Sequence, residues 1–398
     1  MRKLSPLFAT LMAVAVVSAA APFEEAPTGF DRQTNGFVNQ ATYEADEVTF
    51  AAVETAADGV GPVYNASSCA ECHANPIVGG SSQVLEMRAG RTVGGVFEEH
   101  PGGTLIHSRA IDPSIQEHVE AGYDTRTFRA SNSVLGLGFV EAIDDATLVE
   151  IAAAQPAASN GRVAGVARMV AIHEAPGEER VGRFGWKCQH ASLLSFSGDA
   201  YLNEMGITTP LFPEENTSNG RSVAAFDALP DPDEADNDDL DAFTRFMRAT
   251  KAPPRDAERA ATPEAVAGED LFGRIGCAVC HVPAIRTATA GTVYGGGAFV
   301  VTAALGDKVI HPYSDFLLHD VGTGDGIMDG GDVRTANLLR TAPLWGLRTR
   351  NRLMHDGASL TVEEAILRHA GEASRAVAKL RRLKRSRRDE VLAFLRSL

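Results

Sequence analysis

The chain is short of cysteine, of basic charge and of long apolar stretches. Five of its 398 residues are Cys, too few for a disulfide-built scaffold. Lys and Arg number 37 against 52 Asp and Glu, a formal net charge of −15, which argues against nucleic acid as a partner. The one early apolar run, Leu7 to Val17, is too short to span a bilayer comfortably, and no later segment is apolar enough to be a transmembrane anchor. That run follows Arg2 and Lys3 and precedes the small residues from Val17 to Ala19, so residues 1–20 read as a secretory signal peptide. A periplasmic or otherwise exported protein is expected. No cysteine stands at the cleavage site, so a lipoprotein anchor is not expected.

Four of the five cysteines are accounted for by two short runs, Cys69-Ala-Glu-Cys72-His73 and Cys277-Ala-Val-Cys280-His281. Each has the C-x-x-C-H spacing of covalent c-type haem attachment. Two thiols add to the vinyl groups of one porphyrin, and the adjacent histidine reaches the iron as an axial ligand. This composition predicts roughly 0.002 such runs per chain by chance. A zinc site would need the pairs brought together or further ligands at finger spacing. A redox-active CxxC pair does not require histidine twice. Two covalent haems, ligated by His73 and His281, are the reading. Cys188 is left alone, a small core hydrophobe more readily than a redox thiol.

The length suggests two domains. Residues 21–60 read as an N-terminal segment wrapping the first domain. Residues 61–250 read as a first haem domain with a middle insertion, and 251–398 as a second, cytochrome-c-like one. Helices are expected at 240–247, at 263–273 leading into the second haem motif, at 361–369 after a Thr start, and at 386–397. Ala298–Thr302 reads as a short, isolated strand. The fold class expected is mainly α, with long irregular connections where haem replaces protein core. A weak repeat aligns 129–137 and 147–155 with 340–347 and 361–369, placing Gln155 where the second module has His369. The acidic stretch 227–241 lacks the glycine and terminal glutamate of an EF-hand loop and reads as a solvated loop. The basic stretch 379–388 reads as a solvated helix face or, alternatively, as a docking patch for an acidic redox partner.

Set together, several segments resemble the di-haem oxidoreductase family, also labelled thiol oxidoreductase and related to bacterial di-haem cytochrome c peroxidases. They are Gly61–Asn65, Val134–Ala142, Gly182–Lys187, Met205–Pro213, Pro312–Asp320, Thr341–Gly346 and Met354–Gly357. Cys188 departs from the alanine expected after Trp186-Lys187. The resemblance implies an exported oxidoreductase with peroxidase-like chemistry at the N-terminal haem. It implies electron entry through the C-terminal haem from a small periplasmic donor protein, with peroxide or O₂ as oxidant. It also puts His369 as the second ligand of the His281 haem, with Met354 and Met328 in reserve. Glutamine is a poor iron ligand, so the His73 haem is expected to keep an open face. Candidates to line it are Glu141, His107 and Arg129, as proton shuttles and as a stabilising cation. Trp186 and Trp345 are candidates to bridge the haems, and His355 and Asp356 to hold a turn near the second one. Related peroxidases carry calcium, so calcium is a further expectation. The alternative is an electron-transfer di-haem cytochrome with no substrate turnover of its own; an O₂-using oxygenase is a third reading.

Overall fold

A computed structural model describes residues 23–398; the signal-peptide reading lies outside these residues. Eleven α-helices are present among them: α1 (Gln40–Phe50), α2 (Cys69–Cys72), α3 (Leu137–Glu141), α4 (Asp145–Ser159), α5 (Leu193–Ala200), α6 (Asp238–Ala249), α7 (Ala257–Ala260), α8 (Pro263–Ile275), α9 (Val362–Arg368), α10 (Ser374–Arg382) and α11 (Arg385–Leu395). Helix accounts for 34 % of the described residues and strand for 16 %, so the expectation of a mainly α fold holds only loosely.

The expected helices form where their caps lie. Thr262 accepts from the Ala265 N–H at the head of α8, whose first residue is a proline. Thr361 and Glu364 make a reciprocal capping box at α9. Gly276, at φ 105°, closes α8 just before Cys277.

The strands are the main departure. An antiparallel four-stranded sheet is built on Leu85–Val93, which pairs with Val96–Glu99, Leu105–Ile106 and Thr125–Ala130. The hairpin signal was in the sequence: Gly94-Gly95, at φ 59° and 85°, join two pairing strands, as a primed two-residue turn requires. In this register Glu86 lies opposite Arg129, and Arg88, two residues on, shares the face of Glu86. The stretch near 298–302 is not isolated, since Phe299–Val300 pairs with Val293–Tyr294. Far from wrapping only the first haem region, Glu24–Glu25 pairs in parallel with Lys308–Ile310.

The larger core draws on both halves, joining Tyr43, Phe50, Val140, Leu193 and Phe246 to Leu305, Phe316 and Trp345. A second core lies between α8 and α11, with Leu271, Phe272 and Ile275 against Val391, Phe394 and Leu395. The two helices meet at Gly268, where a Cβ would stand 2.0 Å from the Glu390 carbonyl oxygen. That close crossing sets Phe272 beside Phe394 (5.2 Å between ring centroids) and beside His281 (6.0 Å). Among the described residues no helix is long and apolar enough to cross a membrane.

Candidate functional site

Both C-x-x-C-H runs fold as a single helical turn. In each, the histidine N–H donates to the carbonyl of the first cysteine, His73 to Cys69 and His281 to Cys277, at 3.0 Å. One turn brings the two thiols and the histidine of each run together. None of the four is in a disulfide, and burial pushes each thiol up, Cys69, Cys72 and Cys277 to about 12.

Each run opens on its own cavity. Cys277, Cys280, His281 and His369 line one of about 330 Å³. Cys69, Cys72 and His73 line another of about 170 Å³. The two share a wall made of Ala130–Ser133, Trp186, Arg340 and Arg350. Trp186 is held there by donating its indole N–H to the Ala130 carbonyl (2.8 Å). Trp345 is on the wall of the first cavity only.

In the second cavity His281 and His369 stand 6.5 Å apart between ring centroids, at an interplanar angle of 57°. Nδ1 of His281 is bonded to the Tyr313 carbonyl (2.9 Å) and Nδ1 of His369 to the Ala365 carbonyl (2.7 Å). Those bonds put the proton on Nδ1 and leave each Nε2 a free lone pair. Burial, and then the neighbouring His369, hold His281 down to about 4; burial lowers His369 as well. Two neutral imidazoles sharing a metal through bonds of about 2 Å would have their centres roughly 6 Å apart, which this pair matches. Met354 lines the same cavity and Met328 lines neither. Asp356 accepts from the Ala358 N–H within its turn and pairs with Arg368 of α9, while buried His355 lies on the cavity wall.

His319 is a residue the sequence reading did not assign. It lies on the second cavity wall between Asp315 (2.8 Å) and Glu372 (2.7 Å), 3.7 Å from the Cys280 sulfur. Burial opposes its charge, but the bonds to Asp315, Cys280 and Glu372 raise it to about 12, so it is an imidazolium.

The first cavity differs. The ring packed beside His73 is that of Phe50, at 6.2 Å, and no second imidazole faces His73 as His369 faces His281 among the described residues. His73 Nδ1 is 3.3 Å from the Gly80 carbonyl, and burial keeps the ring neutral. The wall carries Glu86, Arg88 and Arg129 from the sheet, and His190, Asp199 and Glu204 from the segment around α5. Burial, then Glu86, raise the Glu204 carboxyl well above its ordinary range. Two carboxyls within hydrogen-bonding reach in a buried site retain a proton between them. Buried Met205 and Met247 lie on the same wall.

Of the three residues expected to line the open face, Arg129 does so, with Nε and Nη2 donating to Asp325 (2.9 and 2.7 Å). Glu141 does not. It is fully buried away from both cavities, and its carboxylate is occupied by Arg248 (2.6 and 2.9 Å) and the Leu193 N–H. Nor does His107, whose ring nitrogens contact Glu117 (2.8 Å) and the Asn203 carbonyl (3.0 Å). Gln155 is the other correction. It donates to Asp315 (2.6 Å) and to the Val279 carbonyl (3.1 Å), beside the second motif rather than across from His73. The weak repeat therefore does not set α4 over the first cavity. Cys188 is buried with its sulfur 3.4 Å from the Phe316 carbonyl, and burial pushes its thiol up to about 12, which suits a structural residue.

The shared wall supplies a further test of fit. Arg340 donates to the Gly185 carbonyl and Arg350 to the Trp345 carbonyl, yet neither has a carboxylate partner among the described residues. Burial lowers both, Arg350 to about 10, and the charge of Arg340 adds to the effect on Arg350. Two neighbouring guanidiniums with no counter-ion call for anions. Haem carries two carboxylates, so these residues fit haem in both cavities.

The acidic stretch is more than a solvated loop. Asp233 accepts from the backbone and hydroxyl of Thr208 (2.8 and 2.9 Å), and Glu234 and Asp239 accept from the Tyr201 hydroxyl. Glu215, Asp231 and Asp233 come together, and burial raises Glu215 to about 8.

A family model described as "Di-haem oxidoreductase, putative peroxidase" matches residues 114–398, which include Cys277–His281 and begin after Cys69–His73. No curated protein matches the chain. Three solved structures are similar to it. One is Kuenenia stuttgartiensis hydrazine synthase, at 13 % identity and TM-score 0.41, with 100 % of each chain covered. A MauG-like protein associated with microbial copper homeostasis is 14 % identical at TM-score 0.42, covering 98 % of this chain and 95 % of that one. The diheme peroxidase BthA from Burkholderia thailandensis E264 is 16 % identical at TM-score 0.32, covering 79 % of this chain and 95 % of that one.

Proposed function

This chain belongs to the di-haem oxidoreductase family, and on that premise we propose that it is an exported c-type oxidoreductase with peroxidase-like chemistry at the first cavity and electron entry through the second. The observation that carries the proposal is the asymmetry of the two cavities. His369 faces His281, whereas His190, the second imidazole on the wall around His73, is paired with Asp199 (3.2 Å) and does not pack ring to ring with His73.

Haem, joined by thioethers to Cys69 and Cys72 and to Cys277 and Cys280, supplies one-electron iron chemistry at both sites and peroxide reduction where a coordination position is open. The protein's own part is to position and to hold protons. His73 and His281 present Nε2 because their Nδ1 atoms are held by carbonyls. Arg340 and Arg350, on the shared wall, would receive the haem propionates. Glu204, with Glu86 beside it, keeps a proton for a departing peroxide oxygen. Arg129, fixed by Asp325, is a standing positive charge on the same wall. Trp186 lies between the cavities, where an electron path would run. Calcium, if the family's cation is kept, would find three carboxylates at Glu215, Asp231 and Asp233.

One observation favours a second reading. Met205 and Met247 line the first cavity, and a methionine sulfur on that iron would make the protein a plain electron-transfer cytochrome. The deciding experiment is expression of the full chain with the c-type maturation machinery, then absorption and electron paramagnetic resonance spectra of the oxidised and half-reduced forms, with cyanide titration and peroxide turnover. One high-spin haem that binds one cyanide per chain and consumes peroxide supports the enzyme. Two low-spin haems, with no cyanide binding in either form, support the carrier.

A further inference from the structure

Fourteen residues, Arg375–Arg388, carry eight Arg or Lys side chains and no Asp or Glu. The rest of the chain then has a formal charge of −23, against −15 for the whole. Basic charge is therefore concentrated on one small region of an acidic molecule. The helix period explains how it is displayed. Val377 and Leu380 of α10 are buried, which leaves Arg375, Arg381 and Arg382 outside, followed by exposed Lys384 and Arg385. Arg387 pairs with Glu390, and weaker contacts tie Arg388 to Glu363 (3.8 Å) and Arg385 to Asp389 (4.0 Å). Among the described residues Arg375, Lys379, Arg381, Arg382 and Lys384 have no carboxylate partner.

A run of charge on a helix is ordinarily a solvated face. Position sets this one apart. Arg375 and Lys379 lie on the wall of the second cavity. The Lys379 ammonium donates to the Arg274 carbonyl (3.3 Å) at the end of α8, close enough to Cys277 for its charge to act on that thiol. The basic patch thus borders the outer edge of the second cavity, on the side where the Cys277 thioether would hold the porphyrin.

We propose that this patch is the docking surface for an acidic electron-donor protein, which delivers its electron at the Cys277 edge of the second haem. The inference rests on the reading of that cavity as the point of electron entry. One electron leaves the reduced donor and one enters the haem; no bond is made or broken. α10 turns its apolar side chains inward, so charge complementarity governs recognition, and the partner must carry a patch of carboxylates. Steering of this kind raises association rates by about 10- to 1,000-fold at low salt and fades as ionic strength rises.

The test uses the mature di-haem protein and two reduced probes of one fold and opposite charge, native cytochrome c (basic) and succinylated cytochrome c (acidic). Stopped-flow gives the second-order rate of reduction of the His281 haem. The acidic probe should react faster, and its rate should fall steeply with salt. The triple variant Arg381→Glu, Arg382→Glu, Lys384→Glu should slow it about tenfold or more and should quicken the basic probe. An uncharged small-molecule reductant should reduce wild type and variant at the same rate. If that reductant cannot reach the second haem in either protein, the reading of electron entry fails. If it can, but neither probe shows salt dependence or a response to charge reversal, the docking proposal fails alone. Retention of wild type, but not of the variant, on vesicles containing anionic lipid, with probe rates unchanged, would overturn it in favour of a membrane surface.

Discussion

His281 and His369 face one another with ring centroids 6.5 Å apart, each with Nδ1 bonded to a main-chain carbonyl. The pair is assembled from two helices far apart in sequence: His281 follows α8 and His369 caps the end of α9. If both bind one iron, His369→Ala should convert one low-spin haem into a high-spin or water-ligated one while both haems stay covalently attached. An unchanged low-spin spectrum would show that His369 is not a ligand.

Proton delivery at the first cavity is assigned to the Glu86–Glu204 pair. Glu204→Gln keeps the shape and removes the transferable proton. It should lower the rate of reaction with peroxide by about 10²–10⁴-fold, the range of a general acid, while cyanide affinity changes little. An equal loss in both would mean that the substitution has damaged the cavity itself.

Glu141 is expected to matter for stability and not for chemistry. Glu141→Ala strands the Arg248 guanidinium, and breaking one side of a buried pair costs about 3–5 kcal/mol. Denaturant unfolding should show that loss. A peroxide rate that falls together with unchanged stability would return Glu141 to the site.

Arg350 is assigned to a haem propionate. Arg350→Gln removes positive charge from the shared wall, which favours oxidised iron, so the midpoint potential of at least one haem should fall. Spectroelectrochemistry reads this directly; two unshifted potentials would place the propionates elsewhere.

Glu215 gives a pH dependence of known sign. Its carboxyl is raised in the folded chain from 4.5 to about 8 by burial, with the nearby Asp231 and Asp233 adding to the shift. The folded state therefore binds the extra proton between those values, and stability falls as pH rises through that window. Glu215→Gln should flatten the decline, with little effect near pH 4 and a higher Tm than wild type near pH 9 in chelator. Parallel curves for the two proteins would mean that Glu215 is not perturbed. Adding calcium at pH 9 should raise Tm in wild type alone if the three carboxylates hold it.

Legibility followed the range of the interactions involved. The turn at Cys277–His281 and the helices around it were readable because caps, a proline start and a glycine stop act over three or four residues. The Gly94-Gly95 hairpin is equally local, but the pairing of its first strand with Thr125–Ala130, which sets Glu86 opposite Arg129, spans about forty residues. Glu141 and His107 looked like acid–base candidates because nothing local shows Arg248 reaching the one or Glu117 the other. Gln155 was drawn to the wrong haem by a repeat in spacing, whereas α4 packs its amide against Asp315.

By itself, then, the sequence determined the family and carried the expectation of covalent haem attachment. A C-x-x-C-H run closes on itself in one helical turn and needs no distant residue to be recognised. Only the tertiary structure decided what surrounds each run: an imidazole across from His281, a carboxyl pair near His73, two unpaired guanidiniums between. Those relationships depend on which buried faces pack together over a hundred or more residues, and no local pattern encodes that choice.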